Sequence, residues 1–218
     1  TGTCMRGYAI ADHFRRRGIP VVIGGVHATL CPDEAQQHAD CVVVGFGERS
    51  WPQLLRDFKQ GAMQKRYTDF QSPSLVKYVR PRRDLLRKEG YITTNTIWAT
   101  RGCLNECDFC SIPATWGNNF YKRPIDEVVA ELADMPGNEF VLVDPSPMED
   151  PDHAKQLFRA IGTLKKKWFG LSTTKIGKDP ELLRIVGDSG CKGLLIGFES
   201  INQMSIGSIG KDHNSVDF

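Results

Sequence analysis

The chain has 218 residues, 40% of them hydrophobic and 25% charged, with a formal net charge of +2. These proportions exclude a disordered chain, and apolar runs as short as residues 21–23 and 41–44 exclude a helical membrane span. The near-balanced charge gives no electrostatic argument for a nucleic-acid or membrane partner.

The first sixty residues alternate helix and short buried strand. A helix over 7–17, with apolar residues at helical spacing, stops at Gly18 and leads to a strand over 20–25. Pro32 opens a second helix, residues 41–45 form the next strand, and a third helix runs over 51–58. Continuous β-branched runs between helices predict a parallel sheet covered on both faces, a doubly wound fragment. No strand precedes the first helix and the chain does not begin with methionine, so it reads as a fragment truncated at both ends. Residues 61–94 lack strong periodicity and read as an interdomain linker, with a short helix at 84–89. The basic cluster Arg80-Pro81-Arg82-Arg83 fits a solvated connection better than a phosphate-binding patch.

Alternation resumes at Asn95. A strand over 96–100 leads into a cysteine-bearing loop, and then helices over 126–134, 152–167 and 180–188 alternate with strands over 139–143, 169–174 and 193–200. Four βα-type units amount to about half of a (β/α) barrel.

The loop holds Cys103, Cys107 and Cys110 within eight residues. Three thiolates on a four-iron cubane leave one iron without a protein ligand, open to bind and reduce another molecule. A structural zinc site would call for a further cysteine pair or histidines at ligand spacing. The remaining cysteines, Cys4, Cys31, Cys41 and Cys191, are isolated, and His153 has no partner. Three clustered thiols suit no disulfide scheme, and seven cysteines without pairing logic indicate a reducing, cytoplasmic setting.

In parallel α/β folds, chemistry collects where strands end. The cysteine loop, Asp144, residues 172–174 and Glu199 stand at four successive strand ends. In the first unit, Gly24-Gly25 and Gly45-Phe46-Gly47 follow successive strands. Such glycine turns admit a bulky ligand close to the backbone, though they are not a dinucleotide fingerprint. His27 reads as a surface or satisfied histidine in preference to a metal ligand.

The Cys-x3-Cys-x2-Cys spacing with Phe109 before the last cysteine resembles that of radical S-adenosylmethionine (SAM) enzymes. With Gly-Gly-Val-His-Ala-Thr at 24–29, Val-Gly-Phe-Gly-Glu-Arg at 44–49 and Ile-Gly-Phe-Glu-Ser at 196–200, nearly the whole chain resembles the class that carries an N-terminal cobalamin-binding domain. The resemblance implies a Rossmann-like cobalamin-binding domain over 1–60, a linker over 61–94, and the first part of a TIM-like radical SAM barrel over 95–218. It implies a [4Fe-4S] cluster on Cys103, Cys107 and Cys110, and SAM contacts from Phe109 to adenine and from Glu199 to ribose. Thr3, Gly24, Gly25, Gly45 and Gly47 would line the groove for the cobalamin tail. The family's Gly-Gly-Glu, which holds the methionine amine, is replaced here by the segment 144–150, with Asp144 as the stand-in. An Asp-x-His-x-x-Gly turn for the cobalt ligand would precede Thr1.

The implied activity is reductive cleavage of SAM to a 5′-deoxyadenosyl radical, used for cobalamin-dependent C-methylation or rearrangement of a natural-product, lipid or tetrapyrrole substrate. The implied electron donor is a protein such as flavodoxin or ferredoxin. Two rivals stand beside this: a non-methylating radical SAM enzyme, and a non-catalytic cobalamin or iron-sulfur binding module.

Overall fold

The computed structural model describes residues 2–70 and 79–214. The chain divides into two compact units, one of Thr1–Pro73 with Ala114–Trp116 and one of Ser74–Pro113 with Gly117–Phe218.

The first unit runs α1 (Cys4–Arg16), β1 (Val22–Ile23), α2 (Val26–Leu30), α3 (Pro32–Gln37), β2 (Cys41–Gly45), α4 (Gly47–Lys59) and β3 (Arg66–Asp69). The three strands pair in parallel in the order β1-β2-β3. Alternation along β2 sends side chains to opposite faces. Val42 and Val44 pack with Tyr8, Ala28 and Ala35 of α1, α2 and α3, while Cys41 and Val43 pack with Leu54 of α4 and Tyr67. Helices therefore cover both faces, as the unbroken Cys-Val-Val-Val run requires. Strand β3 corrects the reading of 61–94 as connection alone. Its Arg-Tyr-Thr-Asp sequence offers one buried residue, Tyr67, which is too little apolar pattern to announce an edge strand.

The rest of the chain runs β4 (Thr96–Ile97), β5 (Thr100–Gly102), α5 (Ser111–Trp116, its second half grouped with the first unit), β6 (Phe120–Lys122), α6 (Ile125–Asp134), β7 (Glu139–Leu142), α7 (Pro151–Gly162), β8 (Lys167–Ser172), α8 (Pro180–Asp188), β9 (Cys191–Ile196) and α9 (Gln203–Ser208). Strands β4-β7-β8-β9 form a parallel sheet in chain order, the arrangement that successive βα units generate. Its core unites Ile97, Phe140, Leu142 and Trp168 with Val128, Leu157, Phe158 and Ile185 from α6, α7 and α8. Trp168 is fully buried, stacks on Phe158 with ring centroids 5.0 Å apart, and donates its indole N–H to Ser189 Oγ at 3.0 Å. Both helices α7 and α8 start with an aspartate cap followed by proline: Asp150 accepts from the His153 N–H and Asp179 from the Leu182 N–H.

Several expected elements differ in extent: the strand expected over 20–25 is Val22–Ile23, and the one expected over 193–200 is Cys191–Ile196, which leaves Glu199 in the loop beyond it. The strand expected over 96–100 is two short strands, because β5 leaves the parallel sheet to pair antiparallel with β6. The helix expected over 152–167 ends at Gly162, and the chain re-enters a strand at Lys167. The short helix expected at 84–89 is two single 3-10 turns, Arg83–Leu85 and Lys88–Gly90.

Candidate metal and cofactor site

The β5–β6 pair forms the base of the cysteine loop. Gly102 opposes Phe120 there, and it adopts φ +88°, with the position of a Cβ only 2.0 Å from the Asn119 carbonyl oxygen. Glycine alone fits, so the residue before Cys103 holds the loop's entry and exit together. Above this base all three cysteines are free thiols: Cys107 is buried, and Cys103 and Cys110 are half-buried.

Cys103 sits among polar groups. Asn105 donates its side-chain N–H to Cys103 Sγ at 3.0 Å, and Cys103 Sγ lies 3.5 Å from Glu149 Oε1. Glu149 also accepts from Asn105 at 2.7 Å and from Ser146 Oγ at 2.6 Å, and it pairs with Lys175 at 3.1 Å. Lys175 in turn donates to Asn105 Oδ1 at 2.8 Å. The loop after β7 thus meets the cysteine loop at this sulfur, and the loop after β8 braces both through Lys175. Burial pushes the Cys103 thiol above its ordinary value, and the Glu149 carboxylate adds to that against the opposing Asn105 hydrogen bonds.

The loop after β9 reaches the other end of the cysteine segment. Glu199, at φ +62°, pairs with the buried Lys211 at 2.7 Å, and the Lys211 ammonium lies 5.6 Å from the centre of the Phe109 ring. The Asp108 N–H donates to the Ile209 carbonyl at 3.0 Å, fixing Phe109 at the surface with 57% of its area exposed. Burial raises the Cys107 thiol, and the Lys211 charge opposes that rise.

Asp144 behaves differently from the sequence expectation. Its side chain is wholly buried. It accepts from the Ala99 N–H at 2.9 Å, the Thr100 N–H at 2.5 Å and Thr100 Oγ1 at 2.6 Å, tying the end of β7 to the chain between β4 and β5. Burial pushes its carboxyl up to about 7, against the lowering effect of these hydrogen bonds. That carboxylate is spent on the protein's own backbone, and the acidic group facing the cysteines is Glu149. Glu149, Asn105, Lys175 and Lys211 were not singled out from sequence. The usable signal was their place just beyond strand ends or inside the cysteine loop.

In the first unit, Gly24 and Gly25 follow β1, and Gly25 adopts φ +95° at the start of α2 with open space where a Cβ would stand. Gly47 opens α4 and also faces open space. Gly45 has another constraint: a Cβ there would lie 2.1 Å from the Asp69 carbonyl oxygen, so the tight approach is made by β3. Thr3 is exposed at the head of α1 and makes no side-chain cap there. His27 Nε2 is 2.9 Å from Tyr8 Oη and 3.4 Å from Glu34, which bears out its reading as a satisfied histidine. Cys4, His27 and Glu34 bring their donor atoms within 4.8 Å of one another, an arrangement the Tyr8–His27–Glu34 hydrogen bonds account for. Burial, with help from Glu34, pushes the Tyr8 hydroxyl up to about 12. Among the described residues no helix is long and apolar enough to cross a membrane.

Residues 99–216 match the Radical SAM superfamily. Over 95% of its length the chain is 29% identical to bacteriochlorophyllide d C-8(2)-methyltransferase of Chlorobaculum tepidum. Over 98% it is 30% identical to the C-12(1)-methyltransferase of the same organism. The chain spans about half the length of these relatives, 50% and 49% respectively. The fold superposes on TsrM, a radical SAM methyltransferase from Kitasatospora setae solved with cobalamin and a [4Fe-4S] cluster bound. The TM-score is 0.80 at 18% identity, covering 99% of this chain and 50% of that one.

Proposed function

The chain belongs to the Radical SAM superfamily, and from that premise we propose that it forms part of a cobalamin-dependent radical SAM methyltransferase. The observation that carries the proposal is the meeting of the loops after β5, β7, β8 and β9 on a segment with three free thiols. Similarity to two methyltransferases along nearly the whole chain supports the reaction class.

In this reading Cys103, Cys107 and Cys110 hold a [4Fe-4S] cluster. Their donor chemistry fits: three free thiols from one short loop, able to give up their protons to metal. Bound there, such a cluster supplies the electron for reductive cleavage of SAM to a 5′-deoxyadenosyl radical, while cobalamin serves as methyl carrier. The protein's own residues bind and orient. Glu149, not Asp144, is assigned to the methionine amine, because its carboxylate faces the cysteines while Asp144 is enclosed by Ala99 and Thr100. Glu199 receives the ribose hydroxyls and Phe109 lies beside adenine, with Lys211 holding both in place.

Residues 1–60 are assigned as a Rossmann-like cobalamin-binding domain, 61–94 as the linker that also returns β3 to the first sheet, and 95–218 as the first part of a TIM-like barrel. Open space at Gly25 and Gly47, beside two helix N-termini at the carboxyl ends of parallel strands, suits a bulky cofactor tail. Gly24 and Thr3 are assigned to the same groove, and Gly45 serves it indirectly by seating β3. A tetrapyrrole, lipid or natural-product substrate and a flavodoxin- or ferredoxin-type electron donor complete the proposal, in a cytoplasmic setting without nucleic acid.

The test is anaerobic reduction of the complete protein with SAM carrying a labelled methyl group. Formation of 5′-deoxyadenosine supports radical chemistry, and label in a carbon-methylated product supports methylation. Neither product from a cluster-loaded protein rejects the proposal in favour of a binding module.

A further inference from the structure

Asparagine's amide has one accepting and one donating end of nearly equal shape, so its neighbours decide which end faces a given atom. Asn105 is held between two groups of opposite habit. The Lys175 ammonium can only donate, and it lies 2.8 Å from Oδ1. The Glu149 carboxylate, with its side chain 1% exposed, lies 2.7 Å from Nδ2. This polarity commits the second Nδ2 hydrogen to Cys103 Sγ at 3.0 Å. Turning the amide over would set Oδ1 against both a carboxylate and a sulfur.

A hydrogen bond to a cluster-ligating sulfur stabilises the more negative, reduced cluster and raises its potential. The Glu149 charge, 3.5 Å from the same sulfur, acts in the opposite sense, and Lys175 neutralises it at 3.1 Å. We infer that Lys175, through the orientation it imposes on the Asn105 amide, sets the reduction potential of the cluster at Cys103; the inference rests on the cluster assignment proposed above. Lys175 follows β8 in the chain and Asn105 lies in the cysteine loop, so the device couples a neighbouring strand end to the metal centre. Lys175 is a positioning residue, since it acts on the sulfur through Asn105 and Glu149.

The experiment is a spectroscopically monitored redox titration of the complete, anaerobically reconstituted protein, with iron counted in every sample. Wild type, Asn105→Leu, Lys175→Met, Lys175→Arg and the Asn105→Leu/Lys175→Met double variant are compared. Asn105→Leu removes the donor, and its midpoint moves to a lower value at unchanged iron content. Lys175→Met, outside the cysteine loop, moves it the same way, and Lys175→Arg, which keeps a charged donor, returns most of the shift. In the Asn105→Leu background Lys175→Met produces a smaller further shift, because the amide is gone and only the loss of Glu149 neutralisation remains. Single variants that keep the wild-type midpoint overturn the inference, as do two shifts that add in full. Wild-type protein that binds no iron overturns the cluster assignment on which it stands, a distinct result.

Discussion

Asp144 and Thr100 are joined twice, through the Thr100 N–H at 2.5 Å and the Thr100 hydroxyl at 2.6 Å, both to Asp144 Oδ2. This link turns the chain out of the parallel sheet between β4 and β5 and so aims the cysteine loop. Asparagine at 144 would replace one acceptor oxygen with an NH2 facing backbone donors. Asp144→Asn should cost about 1–3 kcal/mol, the usual penalty for a buried donor left unsatisfied. Urea unfolding measures it; a variant as stable as wild type would show that the link is dispensable.

The same carboxyl gives a pH signature. With the folded value near 7 and an unfolded value near 4, the folded state binds more protons than the unfolded state between those limits. The contribution of Asp144 is therefore fully present below about pH 4 and is lost as the pH rises towards about 7. Stability measured across that window should fall more steeply in wild type than in Asp144→Asn. Parallel curves would contradict the buried assignment.

Gly102→Ala places a methyl group 2.0 Å from the Asn119 carbonyl at a backbone angle that L-residues rarely adopt. The base of the cysteine loop must part, so iron uptake should drop severalfold. Gly47→Ala, which meets no neighbouring atom, should leave iron uptake unchanged.

Trp168→Ala removes the largest fully buried side chain of the second core, and about 3–5 kcal/mol of stability should go with it. Trp168→Phe keeps the stacking partner Phe158 and loses chiefly the Ser189 hydrogen bond, worth about 1 kcal/mol. Thermal unfolding of the two variants separates packing from the polar contact.

Glu199→Ala should weaken SAM binding to the cluster-loaded protein by roughly tenfold or more, the scale of a lost hydrogen bond to a charged group. Equilibrium dialysis reads this directly. Unchanged affinity would remove Glu199 from the proposed ribose site.

The strand-helix alternation was legible in sequence wherever apolar residues dominated, as in β2, α6 and α8. It failed where tertiary contacts set the element: β3 shows one buried tyrosine, and β5 and β6 are short strands that exist because they pair with each other. The cysteine cluster was legible because its three thiols lie in one short stretch of chain. Asp144 was expected to hold the methionine amine, since a strand-end aspartate aimed at a ligand and one tying down its own backbone read alike in sequence; its bonds to Ala99 and Thr100 favour the second role. Only burial and hydrogen-bond partners distinguish Asp144 from Glu149 five residues on.

The most direct test of the cluster is metal analysis of anaerobically purified protein reconstituted with iron and sulfide. The account predicts about four irons per chain, with the iron-sulfur absorbance abolished by Cys107→Ala. A single zinc ion bound by Cys103, Cys107 and Cys110 together would contradict it.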